Sequence, residues 1–247
     1  MFEDRAQSEV LGFILSFSII LLSVGLVYSV GFSAVTDLRD GEQLDSAERA
    51  MVALGGTFEN IERGDPARAS EIRLGGGTLA VEKGTTAYIA VNNSSMTIVE
   101  RKLTAGSLSY SLDGTTISYE IGSVYRQEPE GGLVSRHPRF VCTPTRAVVT
   151  VVTFNSSARS VASGGSVTTV ARFDNATLLF PTNQTARAHR AESVTIDVDS
   201  PREALWDRYF EDPDTNWVPD STEPGKATCN AEAVYLRQVG VNVRFVT

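Results

Sequence analysis

The stretch Val10–Val35, VLGFILSFSIILLSVGLVYSVGFSAV, carries no charged residue and is broken only by Ser, Gly and Tyr28. About 20 helical residues cross a bilayer core of about 30 Å, so this segment is predicted to be a membrane-spanning helix. A cleaved secretory signal has a shorter apolar core, a basic leader and a small-residue cut site at its far end. Here the leader is MFEDRA, with two acids and a single Arg, which fits a conventional export signal poorly. Ser16, Ser18, Ser23, Gly25, Ser29, Gly31 and Ser33 stud the run. Such small residues let membrane helices approach closely; the alternative is that a lone span simply tolerates them.

Immediately upstream, Arg5-Ala6-Gln7-Ser8-Glu9-Val10-Leu11-Gly12 places a basic residue, a small residue and a short polar step ahead of the apolar run. This arrangement resembles the class III signal of archaeal type IV pilin-like proteins, departing from it at Glu9, where many members have proline. The resemblance implies that a prepilin-type signal peptidase cuts between Ala6 and Gln7 and leaves the apolar helix on the mature chain. It divides the N-terminus into a leader (1–6) and a transmembrane, pilin-like helix (7–36). It also implies a pilin-like homo- or hetero-oligomer, with Glu9 as a candidate assembly residue. Read on its own, Glu9 is an acid in a first helical turn, where the exposed N–H groups and the helix dipole favour negative charge.

Beyond Asp37 the composition becomes charged but a helical period persists: Leu44, Ala47, Met51, Leu54, Phe58 and Ile61 recur at alternating steps of three and four. Such a stripe reads as an amphipathic extension over 37–64, either a short coiled-coil seam or a face covering the core of the following domain. Gly64-Asp65-Pro66 is predicted to end it, and Gly41 and Gly55-Gly56 are places where it can bend.

From residue 70 to 247 the period changes to two. Strands are predicted at Thr78–Glu82, Thr86–Val91, Thr97–Leu103, Ser107–Leu112, Thr116–Ile121, Arg146–Phe154, Ser166–Phe173, Ser193–Val198 and Gly240–Val246. Turn signals fall at Gly75-Gly76-Gly77, Asn92-Asn93-Ser94, Asp113-Gly114, Gly131-Gly132 and Gly164-Gly165. Ser200-Pro201-Arg202-Glu203 has the form of a capping box with Pro at the first helical position, opening a short helix near 200–212 with an aromatic face. The stretch 211–226, rich in Asp, Pro and Thr, reads as a surface loop. The expected fold class is therefore α+β: a long N-terminal helix, half transmembrane and half amphipathic, then a mainly antiparallel, sandwich-like β-rich head.

The head carries few signs of chemistry. With 30 Asp+Glu against 22 Lys+Arg, a net charge of -8 and no basic cluster, the whole chain lacks the clustered cations that nucleic acid requires. Only Lys83, Lys102 and Lys226 are lysines; an acidic, lysine-poor composition resembles that of proteins from halophilic archaea. His137 and His189 stand alone in loop-like contexts. No GxSxG, HExxH, P-loop or strand-to-helix GxGxxG is present, so neither catalysis nor a cofactor is expected. Cys142 and Cys229 are too few for a metal set; they are either a disulfide of an oxidising compartment or two buried thiols. Asn92, Asn93, Asn155, Asn175 and Asn183 each begin an Asn-x-Ser/Thr sequon, a candidate N-glycosylation site if the head is extracytoplasmic and a chance product of a Ser/Thr-rich sequence if it is not. The expectation is a single-pass cell-membrane protein with membrane lipid as a partner and its head outside the cytoplasm, a pilin-like structural or adhesion subunit of the cell surface or pilus. The alternatives are an anchored binding or scaffold domain that never polymerises, and a secreted enzyme with no recognisable site.

Overall fold

The computed structural model describes residues 3–155, 160–162, 164–182 and 191–246, with the side chains of residues 3–10 and of a few helical positions up to 37 left undescribed. The chain divides into two compact units, Met1–Asp45 and Ser46–Thr247. Helix α1 (Glu3–Glu62) supplies all of the first unit's secondary structure and the opening of the second. It ends just ahead of Gly64-Asp65-Pro66, with Gly64 at a positive φ of 119°.

Sixteen strands follow among the described residues. They are β1 (Ala67–Arg73), β2 (Thr78–Glu82), β3 (Thr86–Asn92), β4 (Thr97–Thr104), β5 (Ser107–Leu112), β6 (Thr115–Glu120), β7 (Ser123–Glu128), β8 (Gly131–Arg136), β9 (Val141–Cys142), β10 (Ala147–Phe154), β11 (Ser160–Ala162) and β12 (Ser166–Phe180). After β13 (Ser193–Asp199) come helix α2 (Glu203–Phe210) and a 3-10 turn (Pro213–Thr215), then β14 (Val218–Pro219), β15 (Lys226–Asn230) and β16 (Val234–Val246). They form three sheets, ordered β1-β12-β16-β10-β9, β11-β2-β5-β6-β7-β8 and β14-β15-β13-β3-β4. All described strand pairings are antiparallel except β10 with β16, which run parallel.

Alternation explains the strands that were legible. In β3, Ala87, Ile89 and Val91 point inward, and in β13, Val194, Ile196 and Val198 do. The register sets them opposite one another as Val194↔Val91, Ile196↔Ile89 and Val198↔Ala87, pairing apolar side chains on one face of the sheet. The Asp113-Gly114 turn has φ of 47° and 81° at its two residues, the left-handed pair that a two-residue hairpin demands. Ile121-Gly122, joining β6 to β7, adopts the same signs, 48° and 91°. A β-branched residue there is a genuine outlier.

Several expectations are corrected. Ser200 does not cap α2: Arg202 occupies the N-cap position without a side-chain cap, while the Ser200 hydroxyl donates to Glu120 and its oxygen accepts from the Arg202 N–H. Gly131-Gly132 begins β8 rather than forming a turn. The loop over 211–226 holds the 3-10 turn and β14, and it buries Trp217. The head begins earlier than residue 70, since β1 starts at Ala67 and residues 46–62 belong to the same compact unit.

The stripe on α1 is resolved as a face covering this unit's own core: Ala47, Met51, Leu54, Phe58 and Ile61 are buried. Phe58 packs at a tilt against Tyr119, ring centroids 4.6 Å apart, and edge-on against Phe154 at 5.3 Å. A second core holds the aromatic side of α2, where Trp206 meets Tyr125, Tyr209 and Phe210. Cys142 in β9 and Cys229 in β15 are disulfide-bonded with Cα atoms 5.8 Å apart, tying the first sheet to the third.

Candidate functional site

Two features have more structure than packing alone requires: the apolar segment of α1, and a charged cleft where the last turns of α1 meet the sheets. The apolar segment, Leu11–Ser29, is 19 residues long with a mean hydropathy of 2.3 and none of it buried. Leu22, Val27 and Tyr28 are each more than two-thirds exposed. Ser23 and Ser29 donate their hydroxyls to the carbonyls of Ile20 and Leu26 one turn back. Arg5, Ala6, Gln7 and Glu9 lie on the backbone of α1, and their side chains are outside the described residues.

The cleft is built by residues far apart in sequence. Glu59 and Glu62 project from the last two turns of α1, Tyr119 from β6, Arg136 from the end of β8, and Arg139 from the connection to β9. Glu59 accepts from Arg136 Nη2 at 2.6 Å and also pairs with Arg63 and Arg139. Gly55 makes this possible: a Cβ there would stand 3.0 Å from Arg136 Cδ and 3.1 Å from its Nε. The glycine pair read as a bend is thus a crossing point for an arginine.

Glu62 has no comparable set of close partners. Burial pushes its carboxyl up to about 7, against the opposing charges of Arg237, Arg136 and Arg63. Tyr119 is driven well above the usual phenol range, first by burial and then by the nearby Glu62 charge. Among the described residues the buried Arg136 Nε has no hydrogen-bond partner; the Tyr119 hydroxyl sits against the Gly122 backbone, and the strained Ile121-Gly122 turn lines the same cleft. Its interior is about 10 Å³, about the least that holds a single water.

A second carboxylate is buried by different means. Glu120 is fully enclosed and receives Thr85 Oγ1 at 2.7 Å, Ser200 Oγ at 2.9 Å, Trp206 Nε1 at 2.7 Å and Arg202 Nη1 at 3.2 Å. It welds β6 to the start of α2 and to the chain entering β3.

The remaining predicted sites are scattered. Asn92 and Asn93 are half-buried, and their Oδ1 atoms accept from Thr97 Oγ1 and from the Ser95 and Met96 N–H groups. Asn155 and Asn175 are exposed and both donate to Asp174 Oδ2. Asn183 and His189 lie outside the described residues. His137 is exposed, its ring edge-on to Tyr209. Among the described residues no three His, Cys, Asp or Glu side chains are grouped to hold a metal ion.

Residues 5–244 match the model of a family of unknown function, DUF7289. No curated protein and no solved structure matches the chain.

Proposed function

Starting from the chain's membership of the DUF7289 family, to which no activity is attached, we propose that this protein is a membrane-anchored surface subunit whose β-rich domain stands outside the cytoplasm, a pilin-like structural or adhesion protein. The observation that carries this reading is the predominantly apolar segment Leu11–Ser29, 19 residues long with none of it buried. At about 25 cal/mol per Å², leaving such a surface in water is strongly unfavourable. Lipid or the flanks of sister helices would relieve that exposure, and a pilin-like subunit uses both in turn.

Support for the outer side comes from the Cys142–Cys229 disulfide, a bond that persists in oxidising compartments. The cut between Ala6 and Gln7 is part of the proposal and rests on the sequence resemblance. The test is to isolate the full-length gene product from cell membranes, determine its N-terminus, and look for filaments or cross-linked ladders. A chain that begins at Gln7, resists carbonate extraction and cross-links to copies of itself is expected. Recovery from the soluble fraction would defeat anchoring. A chain that stays monomeric at every concentration in the membrane would leave a solitary anchored domain instead.

A further inference from the structure

At 15 residues β12 is the longest strand of the domain, and it is flanked on both sides for only part of its length. Strand β1 pairs with residues 166–172, and Pro66 C=O accepts from Phe173 N–H at 3.0 Å. Beyond that point no strand among the described residues lies on that side, although β16 pairs with the other side as far as Phe180. Every residue from 172 to 178 is exposed, including Phe173 at 40% and Leu178 at 51%. An unpaired edge bearing apolar side chains is a template for another chain's strand. Two register shifts, at Phe173/Asn175 and Leu178/Phe180, bend this one but leave it uncovered.

The sequon Asn175-Ala176-Thr177 sits in the middle of that edge. Its three residues are exposed, and its amide is held by a local arrangement. Asp174 Oδ2 accepts from Asn175 Nδ2 at 2.9 Å and from Asn155 Nδ2 at 2.8 Å. Across the ladder from Asn175 is Gly240, where a Cβ would stand 3.0 Å from Asn175 Oδ1 and 2.9 Å from Asn155 Nδ2. A side chain at 240 would displace both asparagines. Asn92 and Asn93, by contrast, are half-buried with their carbonyl oxygens engaged.

We propose that Asn175 carries an N-linked oligosaccharide, and that this glycan, rooted over the β12–β16 ladder beside the open edge of β12, hinders by its bulk a second chain from pairing there. The inference rests on the extracytoplasmic placement of the domain. The donor is a lipid-linked oligosaccharide phosphate. A bond forms between Asn175 Nδ2 and the anomeric carbon as the bond from that carbon to the phosphate oxygen breaks. One amide proton passes to a base and the lipid phosphate departs. The substituted amide keeps one N–H, which can continue to donate to Asp174, so attachment does not break the arrangement that positions it.

The test uses the full chain purified from the membranes of cells that make it. Peptide mass mapping locates the glycan, and sedimentation of the detergent-solubilised protein measures self-association. Asn175 is expected to be modified. Thr177→Ala, which removes the sequon but keeps the Asn175–Asp174 hydrogen bond, is expected to lose the glycan and raise the self-associated fraction several-fold, while Thr177→Ser behaves like the parent. An unmodified Asn175 beside another occupied sequon overturns the site. A Thr177→Ala protein that sediments like the parent overturns the shielding role. If every sequon is bare while the Cys142–Cys229 bond is intact, the inference alone fails. Bare sequons together with free thiols take the extracytoplasmic reading down as well.

Discussion

Glu62 and Glu120 are both taken out of water, with opposite consequences. Glu120 is surrounded by donors and a guanidinium, so removing its side chain leaves the buried Arg202 with only the more distant Glu82 carboxylate, 3.8 Å away, as a charge partner. Breaking one partner of a buried pair costs about 3–5 kcal/mol. Glu120→Ala is accordingly expected to lower the domain's stability by that amount in urea unfolding, with Glu120→Gln less damaging because the amide oxygen can keep part of the hydrogen bonding. Glu62 is raised to about 7 from 4.5, so the folded domain favours its protonated form. The stability it lends is complete below about pH 4.5 and is lost as pH rises through 7. Between those limits this group makes the domain less stable as pH increases, the reverse of an ion-paired carboxylate. Glu62→Gln should remove that slope and stabilise the domain at pH 8 by about 1–3 kcal/mol, measured by unfolding at a series of pH values. A flat profile in the parent protein would defeat the assignment. Neither group was legible in the sequence. The partners of Glu62 come from positions 119, 136 and 237, and those of Glu120 from 85, 200, 202 and 206, separations that no local pattern records. Ser200 shows the same limit: its local pattern spelled a helix cap, but the helix begins later, at Glu203, and the hydroxyl donates to a buried carboxylate 80 residues upstream.

Legibility among the elements followed burial. Strands β2 and β5 were readable to their end residues because turn residues bound them and their side chains are apolar or β-branched at the right spacing. Strand β1, ARASEIR, was missed because it buries one side chain, Ile72, and so carries almost no alternation. In β7 and β8 the Arg, Gln and Gly residues mask the period, and in β12 Asp174-Asn175 looks like a break but is a bulge in a continuing strand. Helix α1 shows the converse, since two apolar patterns of different width mark two jobs on one element. Phe58→Ala removes a fully buried ring that packs against Tyr119 and Phe154 and is expected to cost about 3–5 kcal/mol. Leu22→Ala, at a position 73% exposed, should leave the domain's unfolding midpoint unchanged while weakening retention in the membrane fraction. Parallel urea unfolding and flotation of the two variants test this division. Equal destabilisation by both would contradict it.

For the whole molecule, the Cys142–Cys229 bond spans 87 residues and ties two sheets that share no strand. In the chain-entropy model a loop of that length is worth about 4–5 kcal/mol, so the double Cys→Ser variant should unfold at markedly lower urea concentration than the oxidised parent. The sequence offered this pair only as one of two readings, because residue spacing alone does not bring two thiols together. The position of β16 in the first sheet has a separate consequence. The last described strand of the chain runs between β12 and β10 and joins the two halves of that sheet. During synthesis the sheet therefore stays split until β16 has emerged, long after α1 has been made. Such a topology, dominated by pairings remote in sequence, favours slow closure.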